Sequence, residues 1–155
     1  MEHQEDKLNI KKIMRNKEIK LWTIGHSNRS LEDFLELLKE HRIKILIDIR
    51  RFPTSKIEYF KKEKMEEWLP KNSIEYIWLG EELGGYRYGG YKKYMKTKSF
   101  KNGIEKLLEI AKMKRTCIMC MEINPKYCHR RFISNYLEKM NIKVIHIIKK
   151  GQMSL

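Results

Sequence analysis

Short apolar runs alternate with amphipathic stretches along most of this chain, and that rhythm limits its fold more than any other feature. Ile43–Ile49 is apolar apart from Lys44 and Asp48. A run that continuous suits a strand covered on both faces, as in a parallel sheet. Shorter runs at Ile19–Ile24, Ile74–Leu79, Thr116–Met121 and Lys143–Ile148 read as four more strands. Between them, Leu31, Phe34, Leu35 and Leu38 share one helical face, as do Ile104, Leu107, Leu108 and Ala111. Ser30 with Asp33 three residues on marks a helix start. Further helices are predicted over Lys61–Leu69, ending at Pro70, and over Cys128–Met140. Strands alternating with helices imply right-handed crossovers and a single Rossmann-like three-layer α/β domain over residues 19–155, with a mostly parallel sheet of about five strands. Residues 1–18 are rich in Lys and Glu and read as a polar arm or short leading helix, with disorder as the alternative.

The length of 155 residues suits one core. No apolar run approaches the ~18–20 residues of a membrane span, and the first residues lack the apolar stretch of an export signal. Three cysteines, Cys117, Cys120 and Cys128, fall within twelve residues. An odd count without an export signal predicts reduced thiols in a cytoplasm. The net charge of +14 points to an anionic small molecule or nucleic acid as partner or, with Lys and Ile abundant and Ala scarce, reflects an AT-rich genome or a thermophile. No acid occurs from Leu83 to Ile104, where Arg87, Lys92, Lys93, Lys96, Lys98 and Lys101 mix with tyrosines. Such mixtures pair with phosphates and stack on bases, and they also occur as plain solvated surface.

In open parallel sheets, ligands bind beyond the carboxyl ends of the strands. The unusual polar residues of this chain follow its predicted strands. They are His26, Ser27 and Asn28, then Asp48, Arg50 and Arg51, then Glu81, Glu82, Gly84, Gly85 and Arg87, and last Cys120, Glu122, Cys128, His129 and Arg130. Parallel strands bring these four loops to one edge, so a shared pocket is expected. Cys128, at a predicted helix start beside His129 and Arg130, is the candidate nucleophile or sulfur carrier; a structural cysteine is the alternative. His26, His129, Asp48 and Glu122 are the acid–base candidates, the two carboxylates being equally suited to pairing with Arg50 or Arg130. Ser27, Asn28, Arg50, Gly84, Gly85, Arg87 and Arg130 are candidates for holding an anion. Cys120 and Cys128 are weak metal-ligand candidates, because their spacing matches no zinc signature. No cofactor is identified: Gly80–Gly90, read as an irregular loop, matches neither a Walker loop nor a dinucleotide fingerprint.

The segments Thr23-Ile24-Gly25-His26-Ser27-Asn28, Asp48-Ile49-Arg50, Leu79-Gly80-Glu81-Glu82-Leu83-Gly84-Gly85 and Cys120-Met121-Glu122 followed by Cys128-His129-Arg130 resemble the domain-of-unknown-function 488 family. The likeness runs from about Leu21 to Ile148. It implies a prokaryotic α/β domain and no particular reaction. Arg51, where the resemblance leads one to expect a small residue, is a doubtful member of the site. The leading expectation is an enzyme acting on a phosphate-bearing substrate, a nucleotide or nucleic acid. A non-catalytic nucleic-acid-binding module and a metal- or sulfur-handling protein are the alternatives.

Overall fold

The structure, a computed structural model, describes residues 2–14 and 18–152. Five strands form one all-parallel sheet: β1 (Lys20–Gly25), β2 (Ile45–Asp48), β3 (Glu75–Trp78), β4 (Thr116–Cys120) and β5 (Lys143–Ile147), in the order β3-β2-β4-β1-β5. Seven helical segments accompany them: α1 (Glu2–Met14), α2 (Leu31–Glu40), α3 (Lys62–Lys71), α4 (Gly80–Leu83), α5 (Tyr91–Tyr94), α6 (Lys98–Ala111) and α7 (Arg130–Glu138). The α/β three-layer architecture expected from the alternation is present.

The period-two alternation of each strand sends its side chains into two separate cores. Trp22, Ile24, Leu46, Cys117 and Met119 face Phe34, Leu37 and Leu38 of α2 and Met65 and Leu69 of α3. Leu21, Ile45, Ile47, Ile118 and Cys120 face α6, α7 and Ile10 of α1. Complete burial of a side chain such as Phe34 stabilises the fold by about 1.5–3 kcal/mol. The leading segment is thus helical at Glu2–Met14 and docks through Ile10, while residues 1 and 15–17 of the predicted polar arm lie outside those described.

Local chemistry explains most element ends. Ser30 Oγ accepts the Asp33 N–H at 3.1 Å and starts α2. Thr97 caps α6 in the same way. Three predicted details change. Pro70 lies inside the last turn of α3 rather than ending it; there its missing N–H costs one bond, and the Asn72 and Ser73 N–H groups close the turn on the carbonyls of Leu69 and Pro70. Gly80–Leu83 is a helical turn despite the glycine, because Leu83 is fully buried and anchors it. The helix predicted from Cys128 starts at Arg130, after a 3₁₀ turn at Pro125–Tyr127 capped by the Asn124 side chain.

From β1 to β3 the chain steps towards one edge of the sheet with α2 and α3 on one face. From β3 to β5 it steps back with α6 and α7 on the other. The loops after β1 and β2 therefore leave the neighbouring β4 loop in opposite directions. A crevice opens at the carboxyl end of β4, which is the position where ligands bind in such sheets.

Candidate functional site

A pocket of about 560 Å³ occupies that crevice. Arg50, Arg51, Phe52 and Thr54 contribute from the β2 loop, Gly85 and Tyr86 from the β3 loop, and Cys120, Met121, Glu122, Tyr127, Cys128 and His129 from the β4 loop. Close approach between these loops depends on glycine. A Cβ on Gly25 would lie 1.8 Å from the Glu122 carbonyl oxygen, and one on Gly85 would lie 3.1 Å from His129 Nδ1.

Beneath the floor, Asp48 and Arg50 form a buried bidentate pair. Arg50 Nε donates to Asp48 Oδ1 at 2.9 Å and Nη2 to Oδ2 at 2.7 Å. The Arg50 backbone N–H and the Tyr76 hydroxyl donate to the same carboxylate. Burial opposes the charge on Arg50, and the Asp48 contacts outweigh it and hold the guanidinium cationic. Its other nitrogen, Nη1, points to His26 Nε2 at 3.3 Å and to the Thr54 carbonyl at 3.2 Å. The Ser27 carbonyl, 3.0 Å from His26 Nδ1, can only accept, so Nδ1 carries the proton and Nε2 offers a lone pair to Arg50. Burial, reinforced by the Arg50 charge, lowers the His26 pKa to about 4, so the ring is neutral. His26 and Asp48 thus buttress Arg50 from below; neither lines the pocket.

The wall of the pocket carries sulfur. The structure pairs Cys120 with Cys128 as a disulfide across eight residues, and Cys117 stays free and buried. The two sulfurs, expected as separate thiols, are thus brought together at the end of β4. The reason is topological: Cys120 ends β4, and the 3₁₀ turn carries the chain back so that Cys128 returns over the same strand end. Cys128 Sγ receives the Arg130 backbone N–H at 3.4 Å and lies 3.8 Å from His129 Nδ1. His129 Nε2 faces the Ile49 carbonyl at 3.1 Å, so Nε2 holds the proton and the Nδ1 lone pair is the one facing sulfur. Burial, with Arg87 and Arg130 nearby, lowers the His129 pKa to about 4.

Arg130 is fully buried; its Nη1 donates to Cys120 Sγ at 3.5 Å, its Nη2 to the Ile123 carbonyl, and its Nε has no partner. Burial lowers its pKa to about 10, which leaves it charged at neutral pH. No carboxylate forms a salt bridge with it among the described residues.

The arginines expected to clamp an anion are thus occupied internally. Arg87 Nε and Nη2 donate to the carbonyls of Gly84, Gly80 and Glu81, and its guanidinium stacks on Tyr94 at 3.8 Å. Arg51, which the sequence left doubtful, is the arginine at the rim: its Nη1 donates to the Tyr86 carbonyl, and it borders both this pocket and the hollow beside it. Ser27 is spent on backbone contacts, its N–H bonding the Met121 carbonyl, and Asn28 points to solvent outside the pocket. Gly84 serves packing, since a Cβ there would meet Arg51 Cβ at 2.5 Å. Glu122 is exposed at the rim. His146 meets Thr23 Oγ1 at 2.6 Å between β1 and β5. Among the described residues no three His, Cys, Asp or Glu side chains group as metal donors, and no helix is long and apolar enough to cross a membrane. Sequence reasoning missed Phe52, Met121 and Tyr127, whose signal is exposure: all three are large apolar side chains open to solvent at the mouth of the pocket.

Comparison with known proteins adds one finding. Residues 30–137 match the family described as a domain of unknown function, DUF488. The chain belongs to that family. No curated protein and no solved structure matches it.

Proposed function

We propose that this protein is a thiol enzyme whose Cys128 attacks an electrophilic sulfur of an anionic substrate in the strand-end pocket, with Cys120 as the resolving thiol. The observation that carries the reading is the adjacency of the two sulfurs in the pocket wall, with the His129 lone pair and the Arg130 N–H both directed at Cys128 Sγ. It supports the sulfur-handling alternative over a phosphate clamp, since Arg50, Arg87 and Arg130 each spend donors on partners within the protein. Arg51 remains at the rim for an anionic substituent such as a phosphate or carboxylate.

The steps balance as thiol–disulfide exchange. In the reduced protein, Cys128 gives its proton to solvent, and the thiolate is stabilised by the Arg130 N–H at the start of α7. Cys128 Sγ attacks one sulfur of the substrate disulfide. That bond breaks, and the departing thiolate takes a proton from solvent. Cys120, beside the Arg130 guanidinium, then attacks Cys128 Sγ, releases the second substrate thiol and closes the Cys120–Cys128 disulfide. Two electrons pass to the substrate, and an external dithiol restores the reduced pair.

The test uses an anionic aromatic disulfide, dithiobis(nitrobenzoate), on pre-reduced protein. The wild type should release two coloured thiolates per protein from this pair and retain no adduct. Cys120→Ser should release one and keep a mixed disulfide on Cys128, located by peptide mass. An adduct spread over Cys117, Cys120 and Cys128 alike, or none on Cys128, overturns the reading.

A further inference from the structure

Beside the cysteine pocket lies a second hollow of about 730 Å³, which the thiol chemistry does not use. We infer that it is a binding groove for single-stranded nucleic acid. The inference goes beyond the thiol reading and does not depend on it.

Its floor is rigid. Arg87 stacks on Tyr94 and is tied to three backbone carbonyls, while the Tyr94 hydroxyl donates to the Glu82 carbonyl at 2.7 Å. Its open side presents what a flexible polyanion with unstacked bases needs. Tyr86 and Tyr88 are 85% and 98% exposed. Arg51 and the exposed Lys93 flank them. No carboxylate side chain lines the hollow, and the chain has no acid from Leu83 to Ile104.

Tyr86 is also held in place rather than trailing. Tyr86 has φ +58, its carbonyl accepts from Arg51, and its ring lies 5.9 Å from that of Phe52. Among the described residues, the exposed large hydrophobic side chains Phe52, Tyr86, Tyr88, Met121 and Tyr127 all ring the two hollows, and only Leu8 and Met113 lie elsewhere. Exposing aromatic rings beside cations costs free energy in water unless a ligand face covers them. Bases of a single strand have free faces to stack there, whereas bases in a duplex are already stacked. The net charge of +14 adds a long-range attraction for phosphates.

The experiment is fluorescence anisotropy of a labelled oligothymidylate of about twelve nucleotides, titrated with the full chain in its oxidised form, where the pocket holds no free thiol. Binding should weaken as salt rises, with a log–log slope of about −0.7 per phosphate contact, and Lys93→Ala should lower that slope by about one contact. Tyr88→Ala should weaken binding about tenfold or more, because stacking is lost while charge is unchanged. Both side chains are exposed, so neither change disturbs the core. A duplex of the same length should bind more weakly than the single strand. Absence of salt-sensitive binding overturns the inference. So does Tyr88→Ala binding like the wild type, or a Glu-rich peptide competing as well as the oligonucleotide, which would make the hollow an acidic-peptide surface.

Discussion

Acidification should destabilise this protein through two histidines, by an amount the structure sets. His26 and His129 are both neutral in the fold, with pKa values lowered by burial from 6.5 to about 4. In the unfolded chain each returns to about 6.5. Between those values the unfolded state binds more protons than the folded one, so stability rises with pH across the window and falls as pH drops. Above pH 6.5 the stabilisation is complete; below pH 4 nothing further is lost from these groups. At pH 5 the lowered value makes each histidine responsible for a loss of about 2 kcal/mol relative to pH 8, hence about 4 kcal/mol for the pair. Urea denaturation at pH 8 and pH 5 measures this loss together with the shares of His41 and His146, whose pKa values burial also lowers. Repeating it with His129→Gln isolates one share, because the variant has no imidazole to protonate and should lose about 2 kcal/mol less on acidification. Imidazole resonances of His26 and His129 that titrate near 6.5 in the folded protein would refute the reasoning.

Other perturbations follow from the same contacts. Asp48→Asn leaves the Arg50 guanidinium buried without its counter-charge and should cost about 3–5 kcal/mol in denaturant unfolding, whereas substitution of an exposed charge such as Lys114 should stay within ±0.5 kcal/mol. Gly25→Ala places a Cβ 1.8 Å from the Glu122 carbonyl and should separate the β1 and β4 loops, seen as loss of folded yield or as changed amide shifts in both loops. Tyr91→Phe removes the buried hydroxyl that donates to the Leu83 carbonyl at 2.7 Å and should cost about 1–3 kcal/mol of thermal stability, since that carbonyl loses its partner.

The sheet was legible because each strand reads as an apolar run and each principal helix between strands has an apolar face. Of the four loops expected at one edge, those after β2, β3 and β4 line one pocket, whereas His26, Ser27 and Asn28 after β1 do not. What individual side chains do there was not legible. Arg50, Arg87 and Arg130 look alike in sequence as anion clamps, but their donors are consumed by Asp48, by three carbonyls of one turn, and by a sulfur and a loop carbonyl respectively. Which donors stay free depends on tertiary neighbours, and residue type does not encode it. The pairing of Cys120 with Cys128 was hidden for a similar reason. The argument from cysteine count and export signal speaks to the compartment, whereas the return of Cys128 over the β4 end follows from the turn at Pro125–Tyr127. Arg51, left doubtful by the sequence, borders the pocket at its rim, while its neighbour Arg50 is held inward by Asp48.

The most direct test of the thiol site is the alkylation rate of Cys128 by iodoacetamide in the reduced protein, followed by peptide mass across pH 5–9. A free cysteine is only a few per cent thiolate at neutral pH. With the Arg130 N–H at its sulfur, Cys128 should react about tenfold faster than an unstructured cysteine at pH 7. A rate equal to that of the unstructured cysteine, rising with a midpoint near the free value of about 8.5, would contradict the account.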